Sequence, residues 1–234
     1  PEPFRGIVGA PTIRLSAGEP SGDLHGAAVA RELRRRWPGA RLYGLGGPLM
    51  AAEGVELLAG LDRLAVMGFV EVVKHLPYFY GLFRRVRREL AVRGTDLVIP
   101  IDYPGFNLRL ARSARESGIP VLYYIAPQVW AWHRSRTREL ARCADRLAVV
   151  LPFEEPLFRE AGARVTFVGH PLLDLCEATS TRAEFCARLG LDAERPILAV
   201  FPGSRAQEVA RHLELFTAAA REVCRSDPRV QPVV

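Results

Sequence analysis

Four short stretches of this 234-residue chain carry residue types that could bind or transform a ligand. Each follows a β-prone run. The first is Ala17-Gly18-Glu19-Pro20-Ser21-Gly22-Asp23-Leu24-His25-Gly26. Its small residues allow a tight turn at a strand's carboxyl end, the edge at which open α/β sheets bind ligands. The free N–H groups of a following helix favour an anion there. Ser21 or Asp23 would serve equally well as a plain N-cap. The stretch lacks both the G-x-G-x-x-G spacing of a dinucleotide fingerprint and the G-K-[ST] of a P-loop. Ligand loop and structural turn both stay open.

A second run ends in Asp102-Tyr103-Pro104-Gly105-Phe106-Asn107. An Asp at a strand's carboxyl end points into the same crevice as the first loop. It has the chemistry of a general base towards a sugar hydroxyl, and a turn-forming Asx residue has the same signature. A third run ends in Tyr123-Tyr124-Ile125-Ala126-Pro127-Gln128-Val129-Trp130-Ala131-Trp132-His133-Arg134. Trp and Tyr present flat apolar faces to sugar rings or acyl chains, although paired tryptophans are also common in cores. The fourth stretch, Phe201–Val209, contains Pro202-Gly203-Ser204-Arg205 ahead of a helix. Helix-start N–H groups and Arg205 would hold a diphosphate. Glu208 would cap with Ser204 or pair with Arg205; the two readings are compatible.

One helical segment has a different character. Phe79, Leu82, Phe83, Val86 and Leu90 share one face, flanked by Arg84, Arg85, Arg87 and Arg88. That pattern suits an interfacial helix on anionic lipid, where each basic residue contributes about 1 kcal/mol. A buried amphipathic helix with a solvated arginine face has the same pattern. No recognisable nucleic-acid-binding motif accompanies it, which ranks nucleic acid low.

The elements that must position these residues alternate. Strands are expected near Thr12–Ala17, Arg41–Leu45, Asp96–Ile101, Val121–Ile125, Arg146–Val150, Val165–Val168 and Ile197–Phe201. Helices are expected near Gly22–Arg36, Tyr78–Val92, Leu108–Ser117, Ser135–Cys143, Pro156–Ala161, Thr181–Leu189 and Gln207–Arg225. This alternation defines an α/β fold with a Rossmann-like parallel sheet and flanking helices. A seam falls after Gly169-His170-Pro171, so the expected division is 12–172 and 173–234, with 1–11 as a disordered leader. Val230-Gln231-Pro232-Val233-Val234 reads as the start of another strand, so the second domain is expected to be incomplete.

Composition bounds the class. The chain is 49% hydrophobic and 25% charged, which suits a folded domain with a sizeable core. Its formal net charge is +6, and Lys74 is the one lysine among 32 basic residues. Cys143, Cys176, Cys186 and Cys224 show no C-x-x-C spacing and no His cluster, which argues against zinc or a disulfide framework. The uncharged run Gly118–Trp132 is too short to span a bilayer and holds two prolines. No signal-peptide pattern opens the chain.

Seven motifs in order resemble the lipid-A-disaccharide synthase family. They are A-G-E-x-S-G-D at Ala17–Asp23, A-V-M-G-x-x-E-V at Ala65–Val72, D-x-P-x-F-N at Asp102–Asn107 and P-x-V-W-A-W at Pro127–Trp132. L-P-F-E at Leu151–Glu154, G-H at Gly169–His170 and P-G-S-R-x-x-E at Pro202–Glu208 complete the set. Each is weak alone, and the ordered set covers nearly all of residues 12–209.

The resemblance implies the GT-B architecture, in which two Rossmann-like halves face a cleft, with this chain carrying the first half and the beginning of the second. It implies transfer of 2,3-diacylglucosamine from UDP-2,3-diacylglucosamine to 2,3-diacylglucosamine 1-phosphate, giving the β-1′,6 disaccharide of lipid A and UDP. It implies no metal and no cofactor, and a cytoplasmic enzyme peripheral to the inner membrane, on an anionic phospholipid surface. Asp102 matches the base. Glu19, Ser21, Met67, Asn107, Gln128 and Trp130 match acceptor-pocket positions, and Ser204, Arg205 and Glu208 match the diphosphate loop. Phe79, Phe83 and the four arginines of the basic helix are expected to face the membrane. The family continues past Val234 with most of the donor contacts, so this chain alone is expected to be inactive. A UDP-sugar epimerase-like enzyme and a basic lipid-binding module are the alternatives.

Overall fold

The computed structural model describes residues 9–61, 76–128, 130, 135–175, 177–204 and 206–234. They form two compact units, Pro1–Leu175 and Cys176–Val234. The first unit alternates strand and helix: β1 (Thr12–Ser16), α1 (Pro20–Arg36), β2 (Arg41–Gly46), α2 (Pro48–Ala52), β3 (Glu56–Gly60), α3 (Leu76–Val92) and β4 (Leu97–Pro100). It continues with α4 (Pro104–Glu116), β5 (Leu122–Tyr124), α5 (Ser135–Cys143), β6 (Arg146–Val149), α6 (Glu154–Glu160), β7 (Val165–Phe167) and a 3₁₀ turn at Pro171–Asp174.

All strand pairs are parallel, in the orders β3-β2-β1-β4 and β5-β6-β7. Parallel bridges between Val98 and Val121 and between Ile101 and Tyr124 join the two runs. Every residue of β1 and β4 is buried, as expected where helices cover both faces. Alternation along a strand sorts side chains between the faces. Ile13 and Leu15 pack with Ala27, Ala30 and Met50 from α1 and α2. On the other face Tyr43, Leu45 and Val98 meet Val86, Leu90, Leu110 and Leu140 from α3, α4 and α5. The expected α/β class with a parallel sheet is the architecture observed.

Local boundaries depart from the sequence reading in instructive places. Helix α4 begins at Pro104 instead of Leu108, because a proline at the first helical position leaves no N–H unsatisfied. Strand β3 and the five-residue helix α2 were not anticipated, and α2 is too short to show periodicity. Three backbone N–H groups at its start, those of Gly47, Leu49 and Met50, donate to the Asp23 carboxylate at 2.8, 3.0 and 3.0 Å. Asp23 therefore caps α2, and not the helix it belongs to. Of the expected leader, residues 1–8 lie outside the described residues. Pro11 is already buried, and its carbonyl accepts the Arg41 N–H at 2.8 Å.

In the second unit, α7 (Arg182–Leu189), β8 (Ile197–Ala199), α8 (Ala206–Ser226) and β9 (Gln231–Val233) follow in order, with β8 and β9 parallel. Thr181 and Glu184 form a reciprocal capping box at the start of α7, and Gly190 ends it in the left-handed conformation. The Gln231 amide bridges the Asp192 N–H and carbonyl, both at 2.8 Å.

Arg14 is an exception to the apolar interior. It lies fully buried in β1, and none of its three guanidinium nitrogens has a hydrogen-bond partner among the described residues. The Tyr43 ring lies 5.3 Å from it. Burial pushes the guanidinium down to about 10. A shift of that size corresponds to about 3 kcal/mol against the charged form, which exceeds the roughly 1–2 kcal/mol of a desolvated cation–π contact. Arg14→Met keeps the volume and removes the charge. Urea unfolding at neutral pH is expected to show the variant more stable by about 1–2 kcal/mol; a loss of stability would mean that the Tyr43 contact outweighs desolvation.

Candidate active site

The carboxyl ends of β1 and β4 converge on one buried amide. Asn107, on the first turn of α4, is inaccessible to solvent. Its Nδ2 donates to the carbonyls of Ser16 (3.0 Å), Ile101 (3.1 Å) and Asp102 (2.9 Å), and its Oδ1 accepts the Ser16 hydroxyl at 2.7 Å. Asn107, expected at an acceptor pocket, is fully buried and fixes the strand ends. Asn107→Ala would remove this donor from the Ile101 carbonyl and the acceptor of the buried Ser16 hydroxyl, and is expected to lower stability by about 2–3 kcal/mol in urea unfolding. A loss below half a kcal/mol would remove the clamp.

The backbone held in this way is strained. Asp102, Tyr103 and Ile125 have φ of +44°, +49° and +56°. For non-glycine residues this left-handed region costs roughly 1–2 kcal/mol each, and it persists only where surroundings over-determine it. Here they do. The Asp102 carbonyl also accepts the Tyr123 hydroxyl at 2.8 Å, the Asp102 N–H donates to Tyr124 at 3.2 Å, and the Ile125 N–H donates to Ala148 at 3.0 Å. These three residues fall at the adjacent ends of β4 and β5.

The same geometry brings the first two sequence stretches together. The Tyr103 ring lies against Gly18, where any side chain would overlap it. Glu19 is the extended N-cap of α1, with Pro20 at the first helical position. Glu19 and Asp102 are close enough to interact electrostatically. Burial first, and Glu19 second, hold the half-buried Asp102 carboxyl above its ordinary value, while the Tyr103 N–H works the other way. Ser21, in the first turn of α1, is exposed.

Because burial and Glu19 raise the Asp102 pKa, the folded state binds more protons there than the unfolded state. The contribution of Asp102 to stability is therefore greatest at low pH and falls as pH rises from the ordinary Asp value through the raised one. Glu19→Gln removes one of the two causes. A ¹³C titration of the Asp102 carboxyl is expected to move down towards the ordinary value in that variant; an unmoved titration would show that Glu19 does not face Asp102.

The third stretch is held by a residue that had drawn attention only as part of a motif. The buried Glu154 carboxylate accepts the Trp130 indole N–H at 3.0 Å and the backbone N–H groups of Val150 (3.3 Å) and Leu151 (3.0 Å). Trp130 also meets the Phe153 ring edge-on at 4.9 Å. A buried carboxylate anchoring a tryptophan is a tertiary arrangement with no local signal beyond the L-P-F-E spacing. Gln128 stands exposed on the same loop. Met67 and Arg205 lie outside the described residues. Ser204 and Glu208 belong to the second unit, where the Ser204 N–H donates to Glu208 at 3.1 Å.

On α3, Arg84, Arg85, Arg87 and Arg88 are exposed. Phe83, expected to face a membrane, instead turns inward and meets the Phe106 ring edge-on at 6.0 Å, packed against the core with buried Leu82, Val86 and Leu90. The Phe79 side chain lies outside the described residues. Among the described residues no three His, Cys, Asp or Glu side chains gather as a metal-binding group, and no helix is long and apolar enough to cross a membrane.

The parallel Rossmann-like sheet is shared with solved UDP-sugar enzymes of the GT-B type. The fold is shared with UDP-GlcNAc 2-epimerase from Neisseria meningitidis bound to UDP-GlcNAc, with TM-score 0.60, 8% identity, and coverage of 95% of this chain and 66% of that one. It is shared also with UDP-N-acetylglucosamine 2-epimerase from Rickettsia bellii, at TM-score 0.57, 11% identity and coverage of 97% and 69%. At such identities the likeness shows the fold alone.

Sequence carries the comparison further. Residues 13–234 match the model of the lipid-A-disaccharide synthetase family, and the chain belongs to that family. It is 49% identical over 209 residues to lipid-A-disaccharide synthase from Syntrophus aciditrophicus, covering 89% of this chain and 55% of that protein. The corresponding enzyme from Geobacter sulfurreducens is 45% identical, with 94% and 57% covered. The chain thus spans a little over half the length of these relatives.

Proposed function

We propose that this chain is the acceptor-binding part of a lipid-A-disaccharide synthase, with residues 173–234 beginning the donor domain. The whole enzyme would transfer 2,3-diacylglucosamine from UDP-2,3-diacylglucosamine to 2,3-diacylglucosamine 1-phosphate, releasing UDP. The observation that carries the reading is Asp102: a half-buried carboxylate with a raised pKa, at the sheet's ligand-binding edge, in a chain of this family.

In the proposed reaction Asp102 takes the proton from the acceptor's 6-hydroxyl as that oxygen attacks the anomeric carbon of the donor. The bond to UDP breaks on the opposite face, so the configuration inverts. A carboxylate with a raised pKa is a stronger base than an ordinary one, which suits this step. Glu19 and Ser21 would contact the acceptor, with Gln128 and Trp130 on the neighbouring loop offering an amide and a flat ring. Met67 is assigned to the same pocket from its motif alone. The charge developing on the diphosphate would be met by Arg205, Ser204 and the first N–H groups of α8. Both sugars carry acyl chains, so the enzyme would work peripherally on an anionic inner-membrane surface from the cytoplasmic side, with the exposed arginines of α3 against the headgroups.

The test gives the full-length enzyme containing this chain both acylated sugars and looks for disaccharide and UDP. Disaccharide is expected, and Asp102→Asn is expected to slow its formation by about 10²–10⁴-fold with the fold intact. Near-normal turnover in the variant would remove Asp102 as the base. Epimerised UDP-sugar without disaccharide would overturn the whole reading.

A further inference from the structure

Helices α3, α4 and α5 pack side by side on one face of the sheet and share one core cluster. Between α4 and α5 lies an open groove of about 620 Å³. Its walls are Arg112, Arg115 and Glu116 from α4 and Arg138, Glu139 and Arg142 from α5. Its floor is the buried Cys143 thiol, which donates to the Leu140 carbonyl and is pushed up to about 11, chiefly by burial. The floor therefore carries no negative charge at neutral pH.

Two of the four arginines are committed. Arg112 pairs with Glu139, and Arg115 pairs with Asp145 at 2.8 Å. Arg138 and Arg142 are exposed and make no hydrogen bond or ion pair among the described residues. Arg142 and Arg115 also sit in the last turns of their helices, where a cation offsets the helix dipole. That accounts for neither Arg138 nor the convergence of guanidinium groups from two walls. Like charges facing each other across a groove repel unless an anion lies between them. Guanidinium forks match phosphate oxygens in pairs.

We propose that this groove seats the phosphate of an acidic phospholipid headgroup, extending the exposed arginines of α3 into a docking face that runs across three helices. The proposal rests on the membrane-surface reading above. Continuity with Arg84, Arg87 and Arg88 favours a lipid surface over an isolated small anion. Among the described residues no aromatic ring lines the groove to stack a base, which disfavours nucleic acid.

The test measures co-sedimentation of the chain with vesicles of phosphatidylglycerol in phosphatidylcholine, at low salt, against vesicles of phosphatidylcholine alone. Binding is expected only to the acidic vesicles. Arg138→Ser with Arg142→Ser is expected to weaken it by about 30-fold, from two basic residues near the surface, with a melting curve that moves little, because both side chains are exposed and the loss of Arg142 at the helix end is a small effect. Lysine at both positions is expected to restore most of the binding. Unchanged binding in the double serine variant overturns the groove assignment. If Arg84→Ser with Arg87→Ser weakens binding while the groove pair does not, the groove proposal fails and the membrane reading stands. If neither pair matters, both fail. Full displacement by millimolar inorganic phosphate would make this a small-anion site, and single-stranded RNA binding through Arg138 and Arg142 without vesicle binding would make it a nucleic-acid surface; either overturns the lipid assignment.

Discussion

The carbonyls of Ser16, Ile101 and Asp102 all meet the single amide group of Asn107. Two of them have a second donor, the Ile101 N–H on Ser16 at 2.9 Å and the Tyr123 hydroxyl on Asp102 at 2.8 Å. A charged donor in place of the amide would bring a desolvation penalty to a position with no solvent access. The neutral amide satisfies them and returns its own oxygen to the Ser16 hydroxyl. That arrangement fixes the ends of β1 and β4 relative to each other, and with them the strained Asp102-Tyr103 pair. It also sets the Tyr103 ring against Gly18 and so the path of the loop carrying Glu19. The strain at Asp102 is tolerable because the energy of several buried hydrogen bonds exceeds it.

Three carboxylates near the carboxyl edge of the sheet show how environment separates structure from chemistry. Asp23 is buried and receives three backbone N–H groups, so its charge is spent on α2. Glu154 is buried and receives an indole and two backbone N–H groups, so its charge is spent on Trp130 and the β6–α6 turn. Asp102 is only half-buried, its carboxyl facing a second carboxylate and one backbone N–H. Hydrogen bonds that favour the charged form hold a carboxylate inert, whereas burial beside another negative charge raises its proton affinity. At Asp102 burial and Glu19 raise the proton affinity.

This contrast explains how far the sequence could be read. Strand–helix alternation is a local periodic signal, and the α/β class with its parallel strands was legible from it. The ligand-binding edge followed, since strand ends in such sheets are where ligands sit. Helix α2 was not legible, because its cap comes from Asp23, more than twenty residues earlier. Nor was the role of Asn107, whose D-x-P-x-F-N motif records that the residue matters without recording which way it faces. The inward turn of Phe83 had the same origin: helical periodicity places it on the apolar face, and only the packing of Phe106 against it decides that the face is core.

Arginine use follows one rule throughout the first unit. A guanidinium that meets carboxylates, as Arg93 meets Glu56 and Glu89 at 2.6 and 2.7 Å, knits edge strand to helix. One that lies buried beside a ring, as Arg14 lies beside Tyr43, opposes folding at neutral pH chiefly through its desolvation. Those without a hydrogen bond or ion pair among the described residues, such as Arg87, Arg138 and Arg142, stand on the outer surfaces of α3 and α5. Free arginines on neighbouring helices repel one another, so their concentration on one face lowers the stability of the isolated chain by a small, salt-dependent amount. An anionic surface reverses the sign of that interaction. The same charge pattern that is mildly unfavourable in solution becomes favourable on contact, and more so for every additional helix that takes part.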